Sequence, residues 1–178
     1  MKKTLRMVLL VLLGALVVIQ FIRPAKNQSS DAPGDMAAAY PVPDEVASIL
    51  KVACNDCHSN YTRYPWYSNI QPVGWWLDHH VDEGKGHLNF STFTQNRIAV
   101  QNHKFEEIVE TVEEGEMPLD SYTWTHTDAR LSPEQRALVI DWARTQMDSL
   151  RARYPADSLI LRRRQPAPQA DAGPQPRD

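Results

Sequence analysis

Cys54-Asn55-Asp56-Cys57-His58 is the stretch on which the reading of this chain turns. Two thiols with two residues between them can reach one side of a common partner, and a histidine directly after the second sets an imidazole beside them. CxxCH is the spacing of c-type haem attachment, in which both sulfurs bind the macrocycle and the histidine is offered to the iron. Two plainer readings compete with it. A thiol-disulfide enzyme carries CxxC near a βαβ pattern, and no such pattern surrounds residue 54. A structural zinc site takes about four nitrogen or sulfur ligands, and Cys54 and Cys57 are the only cysteines in the chain. The expected cofactor is one covalently attached haem c per chain, with Cys54 and Cys57 as attachment points and His58 as proximal iron ligand.

Upstream of the motif, Val46, Ile49, Leu50 and Ala53 share one face of a helix that Asp44 would cap and that runs straight into the two cysteines. Before it, Asn27 to Pro43 (NQSSDAPGDMAAAYPVP) is rich in small, polar and proline residues and reads as a tether, residues 27–43, with Met36 inside it. Met7 to Ile22 (MVLLVLLGALVVIQFI) is an apolar run behind Lys2, Lys3 and Arg6, so residues 1–26 read as a secretory signal or a transmembrane anchor. A span takes about 17 to 25 apolar residues, which puts this run at the short edge. Cleavage wants small residues spaced as A-x-A, whereas the run leads into Arg23-Pro24-Ala25-Lys26, so an uncleaved single-pass anchor is expected. The basic residues ahead of the run keep the N-terminus cytoplasmic and send the domain to the periplasmic face of a bacterial inner membrane; a cleaved segment would leave it exported.

Charge is unevenly placed. The chain has 19 Lys and Arg against 22 Asp and Glu. Every acid lies after residue 30 and five of the bases lie before residue 27, so residues 27–178 carry a formal −8. That sign argues against a nucleic-acid partner.

Downstream of the motif, Tyr61 to Trp76 is dense in aromatics. Tyr64 precedes Pro65 and is extended; Pro72 starts a helix in which Val73, Trp76, Leu77 and His80 form one stripe, and Gly84 and Gly86 end it. The haem needs apolar walls that exclude water, and Trp75 and Trp76 are the rings expected to supply them. A second helix follows Arg97, with Phe105, Ile108, Val109 and Val112 inward, Glu106, Glu107, Glu110, Glu113 and Glu114 outward, and Gly115 as its left-handed stop. Immediately after comes Met117-Pro118. A thioether is a soft ligand that raises the reduction potential relative to two nitrogens, and the proline restrains the loop that holds it. Met117 is the expected sixth ligand; His80, on the apolar stripe, is the alternative. After a polar loop from Tyr122 to Arg130, Ser132, Pro133 and Gln135 announce the last helix, with Val139, Trp142, Ala143, Met147 and Leu150 buried. Pro155 ends it, and residues 154–178 read as a disordered Pro-rich tail.

The order of first helix, CNDCH, middle helical region, helix-Gly-x-Met-Pro and a closing helix LSPEQRALVIDWA resembles a class I c-type cytochrome. More closely, YPWYSNIQPVGWWLDHHVDEGKGHLNFS is similar to the small bacterial haem-binding domain family, whose members carry an N-terminal membrane segment. The resemblance covers about residues 44–153 and implies thioether positions at Cys54 and Cys57, a proximal ligand at His58 and a distal one at Met117. The aromatic and histidine-rich insertion departs from ordinary small cytochromes and leaves the sixth ligand open.

The fold expected is therefore all-α, a class I cytochrome c-like helical domain around one covalent haem, preceded by a transmembrane helix. The expected function is a membrane-tethered periplasmic monohaem electron carrier, not an enzyme, since no nucleophile or acid-base pair with defined spacing is present. It would meet an unidentified redox protein and no small-molecule substrate. The rival is a haem sensor or peroxidase-like protein with an open or His-ligated sixth position, in which His79, His80, His103 or His126 serves as a distal group.

Overall fold

Residues 2–161 are described by the computed structural model of the chain. Among them eight α-helices follow one another: α1 (Lys2–Ile19), α2 (Met36–Ala39), α3 (Asp44–Ala53), α4 (Asn55–His58), α5 (Val73–His87), α6 (Ile98–Glu113), α7 (Asp120–Thr123) and α8 (Pro133–Arg153). Short 3-10 turns stand at Trp66–Asn69, Phe90–Gln95, Thr127–Ala129 and Ala156–Leu159. The only β pairing among the described residues is an isolated bridge between Gln28 and Tyr61.

The core is made by the helices whose apolar residues recur every three or four positions. Phe105, Ile108 and Val112 of α6 meet Val139, Trp142, Ala143 and Leu150 of α8, and α3 adds Val46, Ile49 and Leu50. Burying each large apolar side chain stabilises the fold by about 1.5–3 kcal/mol. The end signals act as their chemistry requires. Ser132 accepts the Gln135 amide at 3.2 Å while the Gln135 side chain accepts the Ser132 amide at 2.9 Å, a complete capping box. Gly115 stops α6 at φ +77, a conformation that costs glycine nothing. Asp44 is the first residue of α3 and Pro43 is its cap, so the carboxylate acts through its place in the first turn.

Four expectations need correction. Residues 27–43 are no tether: Met36 and Tyr40 are each 3 % exposed, and the Tyr40 hydroxyl reaches Gln101 at 2.5 Å. The Tyr40 ring stands edge-on to Phe93 and Phe105, and Trp142 donates from Nε1 to the Pro41 carbonyl at 3.0 Å. Polar composition concealed two anchors and a run of backbone hydrogen bonds, so the domain begins well before Asp44. At the other end, the turn Ala156–Leu159 returns to the core and buries Leu159, so the tail does not begin at 154; residues 162–178 of that tail lie outside the described residues. Gly84 and Gly86 do not end α5, which continues to His87.

The fourth correction concerns the transmembrane helix: no helix among the described residues is long and apolar enough to cross a membrane. α1 starts at Lys2, so Lys2, Lys3 and Arg6 fall inside its 18 residues, which end at Ile19. At 1.5 Å per residue such a helix is about 27 Å long, against about 30 Å of hydrocarbon. None of its residues is buried. Its end is nonetheless fastened to the domain. Gln20 and Gln71 exchange side chain-to-backbone hydrogen bonds at 3.1 and 2.9 Å, and Trp75 donates from Nε1 to the Ile22 carbonyl at 2.8 Å.

Candidate functional site

α3 ends at Ala53 because the backbone breaks at Cys54, which caps both α3 and the single turn of α4. The turn is held by Asp56, the second residue between the cysteines, which is 5 % exposed. Its carboxylate accepts the Arg63 amide at 3.0 Å, Arg63 Nε and Nη2 at 3.1 Å each, and the Tyr122 hydroxyl at 2.8 Å. Its carbonyl accepts the Thr62 hydroxyl at 2.5 Å. One carboxylate thus ties the motif to the segment after it and to α7. Asp56 also pushes the Tyr122 phenol upward, after burial, and holds Arg63 above the usual guanidinium range. The spacing of the motif gives Asp56 no role, and its one sequence signal is an acid inside a motif whose neighbours must pack against apolar surface.

The His58 imidazole has a defined orientation. Nδ1 lies 2.9 Å from the Gly84 carbonyl and 3.0 Å from that of Leu88, both acceptors only, so Nδ1 carries the hydrogen and Nε2 keeps its lone pair. That is the tautomer a metal-binding histidine requires. Burial lowers the His58 pKa, opposed in part by these two carbonyls, and keeps the ring neutral.

Gly84 is there because α5 lies against the motif. A Cβ at Gly84 would stand 2.7 Å from the Cys57 carbonyl oxygen and 2.9 Å from Cys57 Cβ, whereas one at Gly86 would meet nothing within 4 Å. Gly84→Ala is expected to cost about 1–3 kcal/mol by forcing the helix off the motif and to lower the yield of cofactor-loaded protein. Gly86→Ala, in the same helix, is expected to stabilise it by about 0.5–1 kcal/mol. Denaturant midpoints of the two variants check the contrast; equal shifts would remove the packing role.

Cys54, Cys57 and His58 open onto a cavity of about 500 Å³ that also receives Met117, and whose apolar walls include Leu50, Leu88, Phe90, Ile108, Val112 and Val139. Half-buried Glu107 lies on its rim, an exception to the outward-facing acids of α6. The volume falls within the range of small-molecule and cofactor sites, about 300–1,000 Å³. Two thiols, an oriented imidazole, a thioether and apolar walls fit a flat iron macrocycle. They do not suit disulfide exchange: burial pushes the Cys54 thiol up to about 12 and the Cys57 thiol up to about 11, with Cys57 and Asp56 respectively adding to the effect. A redox CxxC works through a thiolate whose pKa is lowered.

A second cavity of about 450 Å³ shares Cys57, His80, Leu119 and Tyr122 with the first. Here lies the stripe Val73, Trp76, Leu77 and His80, so Trp76 faces this neighbour rather than the cavity of Cys54, His58 and Met117. Trp75 lines neither cavity, because its indole is engaged with Ile22. His126 lines the second cavity and His87 the first, while His79 and His103 pair with nearby glutamates on their own helices.

A family model described as a haem-binding domain matches residues 14–145. No curated protein and no solved structure matches the chain.

Proposed function

The chain belongs to the haem-binding domain family, and on that premise we propose that it is a c-type cytochrome: haem c joined covalently to Cys54 and Cys57, His58 and Met117 on the iron, and electron carriage as its task. The observation that carries this is the His58 ring, whose Nδ1 is spent on the Gly84 and Leu88 carbonyls while the ring lines the cavity shared with both thiols and Met117. Haem bound there supplies one-electron ferric-ferrous chemistry. The chain's part is to keep both ligands still and water out. The Asp56 network holds the His58 turn, and on the other side the Met117 amide donates to the Thr111 carbonyl at 3.0 Å, folding the ligand loop back on α6. Helices α3, α6 and α8 around such a site suit a class I cytochrome c-like arrangement.

Membrane attachment through α1 belongs to the same proposal. Its support is an apolar helix without one buried residue, continued by Phe21 and Ile22 in the open; such a surface needs an apolar surrounding. The side proposed is the periplasmic face of a bacterial inner membrane, on the ground of Lys2, Lys3 and Arg6 ahead of the apolar run, and the −8 of residues 27–178 would favour redox proteins with a basic docking patch.

The test is direct. Protein produced with haem-ligation machinery should keep its haem on a denaturing gel and give a c-type pyridine haemochrome, and Cys54→Ala with Cys57→Ala together should lose both signals. Haem that dissociates on denaturation would overturn covalent attachment. A second reading has one observation in its favour: His80 also borders the first cavity, with its Nδ1 at 2.8 Å from the Trp76 carbonyl and Nε2 left free. A sensor or peroxidase-like protein would place His80 on the iron, or leave that position open.

A further inference from the structure

The second cavity adjoins the haem site through Cys57 and the Asp56, Arg63 and Tyr122 network, and with Met117 on the iron its far side, with His80, Trp76, Trp124 and His126, takes no part in holding the haem. Among its polar lining residues, which include Asp56, Thr62, Arg63, Ser121 and Thr125, are two histidines arranged by the same device. His80 Nδ1 meets the Trp76 carbonyl at 2.8 Å and its ring lies 4.3 Å from the Trp76 ring; His126 Nδ1 meets the Tyr122 carbonyl at 3.1 Å and its ring stacks on Tyr122 at 4.2 Å and 11°. In each case the partner is the aromatic residue four positions earlier. A carbonyl accepts only, so the hydrogen belongs on Nδ1 in each ring, with the Thr125 hydroxyl a further neighbour of His126 Nδ1 at 3.2 Å, and each Nε2 is left as an acceptor on a ring lining the cavity.

Aromatic and aliphatic side chains, among them Tyr64, Val73, Trp76, Leu77, Val81 and Leu119, make much of the remaining wall, and its mouth is open: Trp76 is 43 % exposed and Trp124 71 %. Exposed aromatics around a cavity mark a ligand or partner site rather than packing. Location narrows the choice. Trp75 and Gln71 hold the end of apolar α1 against the first turn of α5, the same turn that gives Val73 and Trp76 to the cavity. A ligand arriving there travels with the apolar phase that α1 occupies. It should be flat, mostly apolar and able to donate hydrogen bonds from two separated points.

We propose that this cavity binds the ring of a lipid-soluble hydroquinone, its two hydroxyls donating to Nε2 of His80 and of His126. The inference rests on the membrane-attached haem reading with Met117, not His80, at the iron.

The experiment uses the full chain with covalent haem, reduced with dithionite, in detergent micelles. Calorimetric titration compares a decyl-substituted dimethoxy-methyl-hydroquinone with its dimethyl ether, which cannot donate. The hydroquinone should bind saturably at one per chain, and the ether about tenfold or more weaker. Val73→Trp, which fills the cavity from α5, should weaken the hydroquinone by at least about tenfold. His126→Phe keeps a ring on Tyr122 and should shrink the difference between the two probes, and it carries the test if Val73→Trp alters the haem spectrum. Absent saturable binding, equal affinity for the ether, or undiminished binding in both variants would overturn the proposal while the haem spectrum leaves the cytochrome reading intact. A colourless preparation defeats both readings before any probe is added.

Discussion

Asp56→Ala should lower the stability of the haem-loaded protein by about 3 kcal/mol, the largest loss expected from any polar residue of the domain. The carboxylate is almost fully enclosed and receives four hydrogen bonds, and its loss leaves the Arg63 amide and the Tyr122 hydroxyl without that acceptor. The Arg63 side chain is 46 % exposed and can turn to water, which keeps the cost below that of a wholly buried pair. Two variants separate the parts. Asp56→Asn keeps shape and one acceptor and should lose about half as much, whereas Arg63→Ala should lose least, because Tyr122 and the Arg63 amide still serve the carboxylate. Urea unfolding read at a constant slope gives the order. If Arg63→Ala proved as costly as Asp56→Ala, the ion pair rather than the enclosed carboxylate would be holding the turn. The yield of covalent haem should follow the same order, since a loosened turn no longer presents Cys54, Cys57 and His58 together.

How far such a site can be read from a sequence depends on whether the cause is local. The face of α3 that leads into Cys54, the Gly115 stop and the Ser132-Gln135 box all follow from residues within one or two turns of each other, and each stands where its spacing required. The core residues of α6 and α8 follow from period alone. Asn27 to Pro43 is different. Its composition is that of a linker, but Asn27 donates from Nδ2 to the Ser59 carbonyl and the Thr62 hydroxyl at 2.9 Å each, and accepts Lys85 Nζ at 2.6 Å. A segment fixed by its polar atoms and by two buried side chains leaves no hydrophobic period to find. Gly84 misleads for a related reason: helix propensity treats glycine as a stop, while here the absent side chain is what admits Cys57. Trp75 and Trp76 show a finer limit. Adjacent positions on a helix point about 100° apart, so the pair divides between the end of α1 and the second cavity, and density of aromatics could not say which went where.

Met117→Ala is the substitution expected to change the haem most. The loop that presents this residue is fixed at two places: the Met117 amide donates to Thr111, and Arg136 of α8 donates from Nη1 to the Val112 carbonyl at 3.0 Å, close beside Gly115. A residue held so firmly on the wall of the cavity can keep a weak thioether bond to iron that a mobile loop would lose. With the thioether gone, the ferric near-infrared band of methionine ligation should vanish, and the reduction potential should fall by on the order of 100 mV or more, since axial ligands set potentials over about 0.8 V. The ferrous form should then bind carbon monoxide readily. Stability should fall much less than in Asp56→Ala, because Met117 is only partly buried against the core. His80→Ala is the necessary companion. If His80 were the sixth ligand, Met117→Ala would leave the spectrum as it was and His80→Ala would change it, with a rise in potential if methionine took the vacant place. If neither variant altered ligation, the iron would have an open face, and the sensor or peroxidase-like reading would replace the electron carrier.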